Sequence, residues 1–307
     1  MSSIKYILAI YIVVIKKVNK TLLVILLFLC AYIFYEINFK NEDKIVMVNV
    51  SDFNALADDD IDDTVPIQKS IDYASKHKIK KVYFPTGSYI VSTINLKSNL
   101  EVNFNNVILK VIPNKYPGYK VINIQDVHNV SIKGNLLIEG ERYFHKSTDG
   151  EWGMGISILG STKILVEDVV VTKSWGDGIY ISGSQKKFSE NITLINLKLI
   201  NNRRQGISIV SGKNIKILNP YIFNTRGTPP AFGIDIEPNS NKDSIENITI
   251  ENPYIKNNEG GGLLIYTGNY TKNSKKITIK VKNTDRMKDQ IVVKQNKDVN
   301  ISFTIEN

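Results

Sequence analysis

From residue 129 onward the chain repeats two short patterns of apolar and polar positions. The first is NVSI at Asn129, KILV at Lys163, NITL at Asn191, NIKI at Asn214, NITI at Asn247, KITI at Lys276 and NISF at Asn300. The second is a glycine followed by apolar, variable and apolar residues: GISI at Gly155, GIYI at Gly178, GISI at Gly206, GIDI at Gly233 and GLLI at Gly262, at steps of 23, 28, 27 and 29 residues. Alternation with period two predicts strands with one buried face. Recurrence once per ~20–30 residues, rather than a hairpin turn every 8–12, predicts a solenoid of parallel strands and not a β-sandwich. Coils of such a solenoid stack ~4.8 Å apart. Asp168, Asn196, Asn219 and Asn252 each stand four residues after the first apolar position of the first pattern. They predict a ladder of side chains bonded from turn to turn.

A solenoid has open ends that need covering. Residues 64–78, TVPIQKSIDYASKHK, supply a cap, with Ile67, Ile71 and Ala74 on one helical face. Asp62 and Asp63 precede it as N-cap and dipole partners, and Pro66 falls in its first turn. A strand is predicted from Lys80 to Ser92. The first forty residues are different material. Residues 21–39, TLLVILLFLCAYIFYEINF, carry one charge, Glu36, and follow Lys16, Lys17 and Lys20. That length and polarity predict an uncleaved transmembrane anchor with everything after residue ~42 outside the cytoplasm. The chain thus divides into residues 1–42, a cytoplasmic N-terminus with a membrane anchor, and residues 43–307, a solenoid of eight to ten coils facing the periplasm or the extracellular space.

Composition narrows the chemistry. A single cysteine, Cys30, excludes an intrachain disulfide and thiolate-based metal sites. The net charge is +9, of which residues 1–42 hold +3 and the exterior part +6. Scattered lysines account for that excess, and no nucleic-acid partner is expected.

The segment DDDIDDTVPIQKSIDYASKHKIKKVYFPTGSYIVS, together with the coil repeats, resembles the pectate-lyase-like, right-handed parallel β-helix superfamily. That superfamily includes polygalacturonase-type glycosidases, polysaccharide lyases and tailspike depolymerases. The resemblance covers most of residues 50–305. It implies an all-β, single-stranded right-handed parallel β-helix with an N-terminal cap helix, acting on or binding a polysaccharide. The paired-Asp coil, the Gly-His-Gly coil and the Arg-Ile-Lys segment of polygalacturonases are not found; GDGIYI at Gly176 is the nearest echo.

Aligned on the glycine line, the variable position reads Ser157, Tyr180, Ser208, Asp235 and Leu264, and two residues on it reads Leu159, Ser182, Val210, Glu237 and Tyr266. Trp175 and Asp177 lead into one of these strands, and Arg203, Arg204 and Gln205 into the next. Asp235 and Glu237 share a strand face, ~7 Å apart by strand rise. Such a separation suits an inverting glycosidase, whose carboxyl groups stand roughly 6.5–9.5 Å apart. The candidate catalytic groups are therefore Asp177, Asp235 and Glu237. Trp175, Tyr180 and Tyr266 are candidate stacking platforms for sugar rings, with Arg203, Arg204 and Gln205 holding the sugar. Hydrolysis needs no cofactor. Two other readings stay open. In a lyase or C5-epimerase on a uronate polymer, the three carboxylates could hold Ca²⁺ and Arg203 or Arg204 could act on the substrate carboxylate or proton. A non-catalytic carbohydrate-binding surface protein is the third. The longest interruption, residues 140–155, bears Glu141, His145, Glu151 and Trp152, and either walls the groove beside Asp177 or forms a plain loop.

Overall fold

The isoleucines that alternate along the glycine line all turn inward. Ile156, Ile179, Ile207 and Ile234 stack in register and are fully buried, as are Ile158, Ile181, Ile209 and Ile236 two residues on. Each side chain removed from water contributes roughly 1.5–3 kcal/mol. The computed structural model describes residues 20–39, 46–270, 277–296 and 299–306. Within them, every strand pair is parallel, and the strands form one fifteen-stranded and one eight-stranded sheet. The eight-stranded sheet carries the glycine line, one strand per coil, and the NITL-type strands lie in the other. The architecture is a right-handed parallel β-helix. The recurrent glycine has a steric cause: a Cβ on Gly178 would sit 2.7 Å from Asn202 Nδ2 and 2.8 Å from the Gly206 carbonyl of the next coil.

The predicted ladder is present. Asn196 Nδ2 donates to Asp168 Oδ1, Asn219 to Asn196, Asn252 to Asn219 and Asn283 to Asn252, at 3.0, 2.9, 2.9 and 2.6 Å. Asp168, Asn196, Asn219 and Asn252 all have φ between 53° and 57°. Asn and Asp tolerate that left-handed turn better than other side chains. Two further ladders run at other points of the coil, Asn191–Asn214–Asn247 and Asn201–Asn224–Asn257.

The cap helix spans Thr64–Lys76 and buries Ile67, Ile71 and Ala74 completely. Its capping differs from expectation. Asp62 Oδ1 accepts from the Thr64 N–H, whereas Asp63, at the N-cap position, makes no side-chain cap bond. Asp63 instead accepts from the Leu56 and Ile90 N–H groups and so ties the cap to the first coil. The strand expected from Lys80 to Ser92 is two, Lys81–Phe84 and Gly87–Val91, because Pro85 lacks the N–H that would continue the ladder.

The chain separates into two units, Met1–Ile45 and Val46–Asn307. The first contains a helix, Lys20–Phe39. Its described side chains, residues 24–33, are exposed and apolar. Among the described residues no helix is long and apolar enough to cross a membrane, so the expected transmembrane span over 21–39 is not carried by the structure. Lys16, Lys17 and the apolar run from Tyr6 to Ile15 lie outside the described residues.

Candidate active site

The variable positions of the glycine line form one column: Ser157, Tyr180, Ser208, Asp235 and Leu264 are directly paired from coil to coil. Asp235 therefore sits between a small Ser208 and an apolar Leu264, and it is buried. A cavity of about 300 Å³ opens above this column. Tyr180, Ser208, Val210, Asp235 and Glu237 form its floor, Arg204 one side, and Glu151 and Trp152 of the 140–155 insert another, with Asn239 completing the lining.

Asp235 is the most perturbed carboxyl group there. Burial pushes it up to about 8, and the adjacent Glu237 carboxylate adds to the rise. Gln205 Nε2 donates to Asp235 Oδ2 at 3.0 Å, while Asp235 Oδ1 is buried without a hydrogen-bond donor. Glu237 is partly exposed and stands as a hydrogen-bond neighbour of Asp235. The ~7 Å separation given by strand rise is thus not kept by the carboxyl groups: they turn toward each other, closer than an inverting pair.

Asp177 takes a different place from the one expected. It is fully buried and does not line the cavity. Both of its oxygens lie 3.3 Å from Arg204 Nη1, and Oδ2 also accepts from Ser208 Oγ at 2.9 Å. Burial pushes it up to about 6, against the pull of Arg204 and Ser208. Asp177 therefore holds Arg204 rather than facing a sugar. Burial draws the Arg204 guanidinium down, but Asp177 and Glu151 together hold it above its ordinary value. Its Nε is 3.3 Å from Glu151 Oε1, an ion pair without hydrogen-bond alignment.

Four of the expected sugar-binding residues also serve the scaffold. Gln205 is fully buried; its amide oxygen accepts from the Phe232 N–H at 2.7 Å and its nitrogen positions Asp235, so it is spent on the protein. Trp175 is no platform, because its ring is covered by His145, with centroids 3.9 Å apart, and by Arg203, whose guanidinium carbon is 3.6 Å from the ring centroid. Arg203 donates to the Gly150 and Trp175 carbonyls and fastens the insert to the coil. Tyr266 packs its hydroxyl end against Gly268 and does not line the cavity. Tyr180 does line it; burial raises its phenol, which stays protonated as a donor.

The insert is a wall, not a plain loop. The side chains of Glu141 and His145 are buried against each other, His145 Nδ1 lying 2.8 Å from Glu141 Oε1, and the Tyr119 hydroxyl donates to the same carboxylate oxygen. This knot, stacked on Trp175, presents Glu151 and Trp152 to the cavity. Those two residues join the site without having been expected there individually; an exposed tryptophan beside a glutamate was the available signal. For Ca²⁺ the fit is poor. Both Asp177 oxygens are taken by Arg204 and Ser208, and among the described residues no three His, Cys, Asp or Glu side chains are grouped to hold a metal ion. A larger groove of about 530 Å³ lies elsewhere, between Asn106, Asn135, Asn196 and the outward-facing Ile108, Leu137 and Val170. Asp168 is the one carboxylate among its lining residues and belongs to the ladder, so no acid–base pair stands there.

Residues 47–280 match the model of the family described as "Rhamnogalacturonase A/epimerase, pectate lyase-like". The chain belongs to this family. A curated relative, the uncharacterized protein YclG of Bacillus subtilis (strain 168), is 29% identical over 271 residues, 74% of this chain and 46% of YclG. The chain thus spans less than half the length of the curated relatives it matches. The tailspike gp49 of Acinetobacter baumannii bacteriophage Fri1, a capsular polysaccharide depolymerase, aligns at a TM-score of 0.57 and 18% identity, over 86% of this chain and 48% of its own. The hyperthermoactive exopolygalacturonase of Thermotoga maritima aligns at 0.52 and 16%, over 84% and 68%. At these identities the two structures show the shared fold alone.

Proposed function

We propose that this member of the rhamnogalacturonase A/epimerase family is a polysaccharide-active glycoside hydrolase that uses carboxylate acid–base catalysis. One observation carries the reading: a buried Asp235, pushed up to about 8, beside a partly exposed Glu237 on the floor of a ring-sized cavity. At neutral pH Asp235 holds its proton and is set to act as a general acid. It gives that proton to the glycosidic oxygen as the bond from this oxygen to the anomeric carbon breaks. Water adds to the anomeric carbon, and its proton returns to the Asp235–Glu237 pair, whose two carboxyl groups stand together on one side of the bond. Asp177 and Gln205 act through others: Asp177 holds Arg204, and Gln205 holds Asp235. Trp152, 52% exposed at the rim, is positioned to stack on the sugar.

The test is incubation of the full chain with a panel of bacterial polysaccharides. Hydrolysis adds reducing ends; a lyase adds an ultraviolet-absorbing double bond; an epimerase exchanges solvent deuterium into C5 without cleavage; a binder gives no product. New reducing ends that are lost in Asp235→Asn support hydrolysis. Unsaturated products refute it. The setting of the enzyme belongs to the same proposal: residues 21–39 tether it to the cytoplasmic membrane with the β-helix outside. The apolar sequence of that stretch and the exposed apolar side chains of residues 24–33 support this. Recovery of the full chain in the soluble fraction, without detergent, would sink it.

A further inference from the structure

The cavity's charge is at odds with that of the chain around it. The chain carries +9, yet among the described residues the ionisable groups lining the cavity are Glu151, Asp235, Glu237 and one cation, Arg204. That cation is already committed. Its Nη1 is 3.3 Å from both Asp177 oxygens and its Nε is 3.3 Å from Glu151. Asp177 and Glu151 alone outnumber it, and Glu237 adds a third carboxylate. The other two nearby arginines are turned elsewhere: Arg203 lies over the Trp175 ring and donates to two backbone carbonyls, and Arg142 donates to the Asn201 and Asn202 carbonyls. Among the described residues, no uncommitted cation lines the cavity to meet an anion on a substrate.

Asp235 leaves that balance unchanged: it is buried and, in the hydrolytic reading, holds the proton that it gives to the glycosidic oxygen. A carboxylate or sulfate ester on the seated ring brings a like charge against Glu151 and Glu237, whereas a hydroxyl or an ammonium does not.

We infer that the sugar ring seated on Asp235 carries no anionic group, and is either neutral or a cationic amino sugar. The inference rests on the hydrolytic reading of this cavity and narrows it. It makes the preferred polymer a neutral or aminated polysaccharide, and it sets the site against uronates and sulfated sugars. Arg204 is then a cation that fixes Glu151 in place, rather than a receptor for a substrate carboxylate.

The experiment uses matched pairs. Polygalacturonate and alginate carry a carboxylate on every ring; each is compared with its own carboxyl-reduced form, and chitosan supplies an amino sugar. Retention in affinity electrophoresis and release of reducing ends are measured for the full chain, Asp235→Asn and Glu151→Gln, with and without calcium. Binding to a reduced polymer or to chitosan at least about tenfold tighter than to the uronate parents is expected, since opposed like charges are strongly disfavoured. Glu151→Gln removes one repelling charge and is expected to narrow that preference. Preferred cleavage or retention of a uronate parent, lost in Asp235→Asn, overturns the inference and leaves the hydrolytic reading standing. Retention of none of these polymers removes both.

Discussion

Asp235 makes folding depend on pH in a way that a single substitution isolates. Its carboxyl group rises from an ordinary 3.8 to about 8 on folding, because burial and the adjacent Glu237 disfavour the charged form. The native state therefore keeps a proton that the unfolded chain releases above about pH 4. Stability is greatest below that point, falls as pH rises toward 8, and levels off above it. The whole rise corresponds to about 6 kcal/mol, and the portion between pH 6 and 9 to about 3 kcal/mol. Asp235→Asn keeps the size of the side chain and an oxygen for Gln205, but cannot ionise. The variant is expected to gain about 3 kcal/mol relative to the wild type between pH 6 and pH 9. Asp177 and Asp63, both pushed up to about 6, titrate in the two proteins alike and cancel in the comparison. Urea unfolding followed by tryptophan fluorescence is suited to the measurement, since Trp152 lines the cavity and Trp175 lies under the insert. Parallel stability curves for the two proteins from pH 6 to 9 would refute the assignment of a buried, protonated Asp235.

Three other outcomes follow from the same geometry. As a general acid Asp235 must be protonated, so kcat/KM on a cleaved polymer is expected to fall above about pH 8, and Asp235→Asn to lower kcat by about 10²–10⁴-fold; a flat profile to pH 10 contradicts this. Gln205→Leu leaves Asp235 Oδ2 and the Phe232 N–H without partners, at a cost of about 2–4 kcal/mol in urea unfolding. It also moves the alkaline limb of activity upward, a change that a purely structural residue would not make. Asn219→Ala removes two ladder bonds and forces alanine to φ 53°, costing about 2–3 kcal/mol in thermal unfolding. The ladder lies away from the cavity, so turnover per folded molecule stays unchanged.

The strands, the cap helix and one ladder were legible because they depend on spacing along the chain. Asp235 and Glu237 were legible for a similar reason: two like charges on one strand face are costly unless something exploits them. What the spacing does not encode is which way a loop residue turns. Trp175, Arg203 and Gln205 are the residue types that bind sugars, and nothing local says that His145 covers the first, that the Gly150 and Trp175 carbonyls take the second, or that Phe232 and Asp235 claim the third. Asp177 reads as a free turn carboxylate until Ser208 and Arg204 of the following coil close around it. The insert wall depends on Tyr119, Glu141, His145 and Trp175, four residues from three separate coil segments, and their meeting is a product of the solenoid rather than of any motif.

The Asp168–Asn283 ladder holds its bonds across chain separations of 28, 23, 33 and 31 residues. It counts turns, not residues. Extra length inserted elsewhere in a turn leaves this spine in phase, so whole loops at the cavity rim can be exchanged, lengthened or trimmed without the frame having to be re-solved. A single deletion between one of these asparagines and its strand has no such freedom. Variation among natural versions of this chain, and success in grafting loops onto it, should accordingly concentrate on the cavity side of each turn and stop short of the asparagine corner.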